Sequence, residues 1–161
     1  MKRSVKTTGF TLIELMIVMA MIVLMAGGSI AAYLRFNTNQ QIVNDARQLI
    51  AELSKARSSA ATLQYPLGCT GLTGINVRST VIDSNLVGLE STTLCGSGNV
   101  IGSPIQILKT SLFDVVFDIT FLPGSGYLST GADQTIVIKD INNPTVTKMV
   151  TVGTYSDIYE N

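Results

Sequence analysis

Few residues in this 161-residue sequence are arranged to do chemistry, and they gather at the N-terminus. Glu14 stands alone as a carboxylate in an otherwise apolar run that begins at Phe10. Placing a charged side chain inside a membrane helix costs about 3 kcal/mol on insertion scales. Such a residue is either close enough to the membrane edge to reach water or is kept for a charge partner. Elsewhere the chemical inventory is thin. The chain has no His, which removes His-based catalytic triads, His-ligated metals and His pH switches. Serine and threonine are plentiful, but with no clustered base there is no activated nucleophile, and no catalytic residue is assigned. Asp133, Asp140 and Asp157 with Asn142 and Asn143 have the composition of a calcium site but no loop spacing that fits one. They read as solvated turn residues, so no metal and no cofactor is expected. Cys69 and Cys95 make one possible pair, read either as a disulfide or as two separate small buried thiols.

The elements that must position these residues fall into zones. Residues 1–9 are basic and polar, with Lys2, Arg3 and Lys6 ahead of any acid. With those three set aside, eight of the eleven basic residues face eleven acidic ones, and the remainder is mildly acidic. Such a body gives no electrostatic reason to expect nucleic-acid binding. Residues 10–34 are almost wholly apolar, interrupted by Thr11, Glu14, Gly27, Gly28 and Ser29. A run of about 20 apolar residues spans a bilayer as a helix. The basic flank places the N-terminus in the cytoplasm and the bulk outside, where a disulfide persists.

Residues 35–65 are polar but periodic. Ile42, Ala46, Leu49, Leu53, Ala56, Ala60 and Leu63 recur at steps of four and three, an apolar stripe on an amphipathic helix. Nothing between Tyr33 and Asn44 breaks a helix, so the two segments are expected to form one rod of about 50 residues, roughly 75–80 Å long. Pro66 and Gly68 are expected to stop it.

Residues 66–161 read as a β-rich head. Strands are expected at Ile75–Ile82, Val115–Phe121, Thr135–Ile141 and Val146–Val152, with a looser stretch around Gly96–Gly102. Phe117, Ile119 and Phe121 share one face of the second strand against Asp118 and Thr120. Pro123-Gly124-Ser125-Gly126 is a strong turn, and Asn142-Asn143-Pro144 closes a hairpin between the last two strands. The fold class is α+β: a long N-terminal helix packed on an antiparallel sheet, or on two small ones.

The stretch Gly9-Phe10-Thr11-Leu12-Ile13-Glu14-Leu15-Met16 behind a short basic leader resembles the class III signal of type IV pilins and type II secretion pseudopilins. The resemblance implies a pilin-like fold, cleavage between Gly9 and Phe10 by a membrane prepilin peptidase, and N-methylation of Phe10. It makes Glu14 an assembly residue. Cutting there exposes an α-amine that is largely cationic at physiological pH. Glu14 lies at i+4 from Phe10, on the same helical face. Glu14 could then neutralise its own amine or that of a neighbouring subunit, fixing the axial register of a filament.

A weaker likeness runs further along the chain. Leu53-Ser54-Lys55-Ala56-Arg57-Ser58-Ser59-Ala60 matches an L-x-x-A-R-x-x-A helix segment, and Phe121–Gly126 approximates an F-x-x-x-G turn. Both are similar to the H-type minor pseudopilin and related minor pilins. The implied partners are a prepilin peptidase, other pilin or pseudopilin subunits and an inner-membrane assembly platform. The implied location is the bacterial inner membrane as a single-pass protein, then a periplasmic or cell-surface filament. Gly27, Gly28 and Ser29 read either as ordinary small membrane-helix residues or as a segment that melts on assembly. Some minor-pilin relatives capture DNA through a basic C-terminus, whereas the C-terminal stretch Asp157-Ile158-Tyr159-Glu160 is acidic here. A major pilin is the alternative within the class. Outside it, an ordinary signal peptide cut near Ser29-Ile30-Ala31 would release a secreted binding domain starting at Ala32 or Tyr33.

Overall fold

The structure, a computed structural model, describes residues 10–64, 66–155 and 157–160, without the side chains at 26 and 28–31. A single helix, α1, runs from Leu12 to Ala61 over 50 residues. It passes through two compact units, residues 1–37 and residues 38–161.

The first unit contains the apolar half of α1. Every described large apolar side chain from Phe10 through Met25 is exposed, with Phe10 at 79 %. Among the described residues no helix is long and apolar enough to cross a membrane. The apolar run at 10–34 in the sequence passes through positions 26 and 28–31, whose side chains lie outside the described residues.

In the second unit the amphipathic stripe behaves as its period dictates. Ile42, Ala46, Leu49, Leu53, Ala56 and Ala60 are all buried in one core. Each large aliphatic side chain removed from water there contributes roughly 1.5–3 kcal/mol. Leu63 departs from the stripe and is 52 % exposed. The helix has already ended: Leu63 takes φ 57°, the Leu63 N–H donates to Ala60 O (3.3 Å) and the Gln64 N–H to Ser59 O (2.9 Å). This is a Schellman stop with leucine in the left-handed position usually given to glycine. The terminator is thus local to residues 59–64, upstream of the Pro66 and Gly68 that the sequence suggested.

Nine strands follow among the described residues. β1 is Leu72–Ile82, β2 Asn85–Cys95, β3 Val100–Ile101, β4 Ile105–Gln106, β5 Ser111–Phe113, β6 Asp118–Phe121, β7 Gln134–Asp140, β8 Thr147–Val152 and β9 Ile158–Glu160. One sheet has the order β3-β2-β1-β6, with β4 also pairing β2, and the other runs β5-β7-β8-β9. All pairings are antiparallel.

The largest strand pair, β1 with β2, joins Ile75 to Thr93 and Val77 to Ser91. Its two-residue turn uses Asp83 (φ 49°) and Ser84 (φ 67°), both left-handed as a primed hairpin turn demands. Sequence reading gave no strand at residues 85–95, because Gly88 and the run Ser91-Thr92-Thr93 blur the apolar alternation. The strand expected at Val115–Phe121 shortens to β6. Val115 and Val116 are exposed outside it, while Ile119 and Phe121 enter the core. The closing hairpin falls within a residue of expectation at each boundary.

Candidate functional site

The start of α1 is built by Thr11. Its side-chain Oγ1 accepts from the Glu14 N–H at 3.4 Å. Its carbonyl oxygen accepts from the same Glu14 N–H at 3.1 Å and from Leu15 N–H at 3.2 Å. Thr11 is therefore the N-cap, and Glu14 occupies the third helical position, the spacing of a capping box. Glu14 lies in the first turn, where the positive end of the helix dipole favours a carboxylate. Phe10 precedes the helix. The expected i, i+4 pairing of Phe10 with Glu14 on one helical face thus does not exist here, because capping by Thr11 starts the helix two residues later. Gly9 lies outside the described residues. The threonine was the residue that sequence reasoning passed over, although its signal, a threonine three residues before Glu14, was present.

Gly27 has open space around it and the helix backbone continues through it. The side chains at 28 and 29 are outside the described residues.

Within the second unit, three local devices hold the helix to the sheets. Asp45 on α1 is 5 % exposed. Its Oδ2 accepts from the backbone N–H groups of Lys109 (3.2 Å), Thr110 (3.1 Å) and Ser111 (3.1 Å), and from the hydroxyls of Thr110 (3.2 Å) and Ser111. The turn after β6 covers the other end of the helix. Gly124 N–H donates to Ala60 O at 3.0 Å, and Gly126 (φ +67°) sits so close that an added Cβ would lie 3.2 Å from Arg57 O and Ala61 Cβ. That contact explains the glycine that ends the Phe121–Gly126 segment, one residue later than a strict F-x-x-x-G would place it.

The third device is covalent. Cys69 and Cys95 form a disulfide with Cα atoms 5.5 Å apart. Beside it, Thr70 N–H donates to Ser97 Oγ (3.0 Å) and the Ser97 hydroxyl donates to Gly68 O (3.0 Å). The loop leaving α1 is thereby tied to the end of β2.

The aspartates of the suspected calcium set do separate work. Asp140 is buried rather than solvated, and its Oδ1 accepts from Asn142 N–H (2.8 Å) and Asn143 N–H (2.7 Å), shaping the β7–β8 turn. Asp133 Oδ1 accepts from the Thr154 N–H and hydroxyl, both at 2.8 Å. These bonds hold its carboxyl below the usual aspartate range, the backbone bond having the larger effect. Among the described residues no group of three His, Cys, Asp or Glu could hold a metal ion. A cleft of about 300 Å³ between α1 and the first sheet brings Glu52 and Lys55 near Ser59, Ser91 and Thr93. Carboxylate and ammonium are paired there at 3.6 Å.

The prokaryotic N-terminal methylation motif matches residues 6–30. No curated protein matches the chain at a significant level. Among solved structures, the type IV minor pilin FimU of Pseudomonas aeruginosa (strain PAO1) is similar over 78 % of this chain and 92 % of its own, at 16 % identity and TM-score 0.56. A second crystal form of FimU aligns over 73 % of this chain and 90 % of its own, at 20 % identity and TM-score 0.50. The chain thus carries a prokaryotic N-terminal methylation motif, and its fold is similar to that of FimU.

Proposed function

We propose that this chain is a structural subunit, a minor pilin or pseudopilin, of a type IV pilus or a type II secretion pseudopilus. Its leader is removed between Gly9 and Phe10 by a prepilin peptidase, Phe10 is N-methylated, and α1 first anchors the protein in the inner membrane and then packs into the filament. The observation that supports this best is the exposure of every described large apolar side chain from Phe10 to Met25. A surface of that kind is costly in water and is satisfied only by acyl chains or by neighbouring helices. The two environments correspond to the membrane-bound and the assembled subunit. The role is architectural, with the other subunits and the assembly platform as partners.

The test is the mature N-terminus after co-expression with a prepilin peptidase. Methylated Phe10 is the expected first residue, whereas a chain beginning at Ala32 or Tyr33 would identify an ordinary secreted domain instead. Gly9→Val is expected to keep the leader, seen as an unshifted intact mass. Glu14→Ala is expected to be processed yet absent from filaments, and its normal incorporation would remove the register role of Glu14. Overproduction separates minor from major subunit: a major pilin yields abundant filaments on its own.

A further inference from the structure

The two oxygens of Thr11 hold a hydrogen bond that a longer helix would need. If α1 continued one turn toward the N-terminus, the Glu14 N–H would donate to the carbonyl of Phe10, four residues back. Instead that N–H is shared between the carbonyl and the hydroxyl oxygen of Thr11. Phe10 and Thr11 are consequently non-helical. A peptide bond inside a helix has its backbone groups engaged and its chain curled, and a protease must free both before it can seat the substrate.

Resting on the processing read above, we propose that Thr11 is a positioning residue for leader removal: by capping α1 it leaves the carboxyl side of the Gly9–Phe10 bond free of helical hydrogen bonds and open to the peptidase. The hydrolysis breaks the C–N bond between the two residues, adding the hydroxyl of water to the Gly9 carbonyl carbon and its hydrogen to the Phe10 nitrogen. Thr11 takes no part in that chemistry. The cap matters more at a membrane surface than in bulk water, because a Glu14 N–H left with the Thr11 carbonyl alone has fewer waters to turn to there and is drawn to the next carbonyl back. Threonine suits the place, since it supplies the acceptor oxygen without adding a charge to the apolar run.

The experiment uses the full chain in membranes with a prepilin peptidase, comparing wild type with Thr11→Val and Thr11→Ser. Valine keeps the branched shape and removes the acceptor, while serine keeps the acceptor. Cleavage efficiency (kcat/KM) of Thr11→Val is expected to fall about fivefold, the usual worth of such a cap, and that of Thr11→Ser to stay within about twofold of wild type. The Phe10 13Cα shift in bilayers is expected to move toward helical values in Thr11→Val alone. Wild type cut at Gly9–Phe10 with Thr11→Val cut equally fast overturns this inference and leaves the processing intact. Equal slowing of both variants also overturns it, pointing to direct recognition of threonine by the peptidase. A wild-type chain that is not cut overturns the processing itself, and the role of Thr11 with it.

Discussion

Asp45 on α1 and Ser111 at the start of β5 are joined twice, the aspartate Oδ2 accepting from both the backbone N–H and the hydroxyl of the serine. Both residues are buried. With Lys109 and Thr110 adding their own donors to the same oxygen, the link fixes the segment entering the second sheet against the helix. Asp45→Ala is expected to strand several buried donors and cost about 3 kcal/mol. Asp45→Asn, which retains an acceptor oxygen, is expected to cost roughly half as much. Urea denaturation of both variants measures the difference, and equal stability of Asp45→Ala and wild type would show the carboxylate to be dispensable.

Gly126→Ala meets two obstacles together, a left-handed backbone and a helix that would have to yield at Arg57 and Ala61 to make room for the methyl group. A destabilisation of about 1–2 kcal/mol is expected. Gly124→Ala shares the positive φ but has open space around its Cα. Thermal unfolding should therefore find Gly126→Ala the less stable of the two, and the reverse order would refute the close approach to Arg57 and Ala61.

The disulfide closes a ring with a sequence separation of 26 that contains the whole β1–β2 hairpin. Replacing Cys69 and Cys95 together by Ser is expected to lower stability by roughly 3 kcal/mol, chiefly through the freer unfolded chain. Non-reducing denaturation curves of wild type and the double variant provide the comparison. The double variant is expected to keep the β1–β2 register, which its amide hydrogen exchange reports.

Asp133 supplies a dependence on pH. Its folded carboxyl titrates below the ordinary value of 3.8 because the Thr154 N–H and hydroxyl favour the ionised form. The contribution is therefore complete above about pH 4 and is lost as pH falls below 3.8 through the folded-state value. The Thr154 amide resonance is expected to report this titration and to lose it in Asp133→Asn. A Thr154 shift that tracks pH equally in that variant would assign the effect to another group.

The legible part of the molecule was the part written in local spacing. The buried stripe from Ile42 to Ala60 needs only the helical period and the solvent, and the hairpin around Asn142-Asn143-Pro144 needs only a turn and two flanking strands. The N-terminal motif is likewise a local pattern of glycine, aromatic, carboxylate and apolar run. β2 was illegible for the opposite reason. Its polar residues acquire strand geometry from β1 on one side and from β3 and β4 on the other. The three-residue strands β5 and β9 exist only because β7 and β8 offer edges to them.

By itself, then, the sequence determined that one end of this protein is an apolar helix behind a basic stretch, with a carboxylate at a set distance from its start, and that a stripe further along must meet a β-rich head. These are consequences of periodicity and charge within a few turns of chain. The ends of the helix at Thr11 and Leu63 are local as well, made by hydrogen bonds within three to five residues, although the sequence reading placed them elsewhere. Tertiary structure decided what Asp45 is for. On the helix it looks like any acid at the margin of a stripe, and only folding brings it the donors of Lys109, Thr110 and Ser111, with Ser111 66 residues away along the chain.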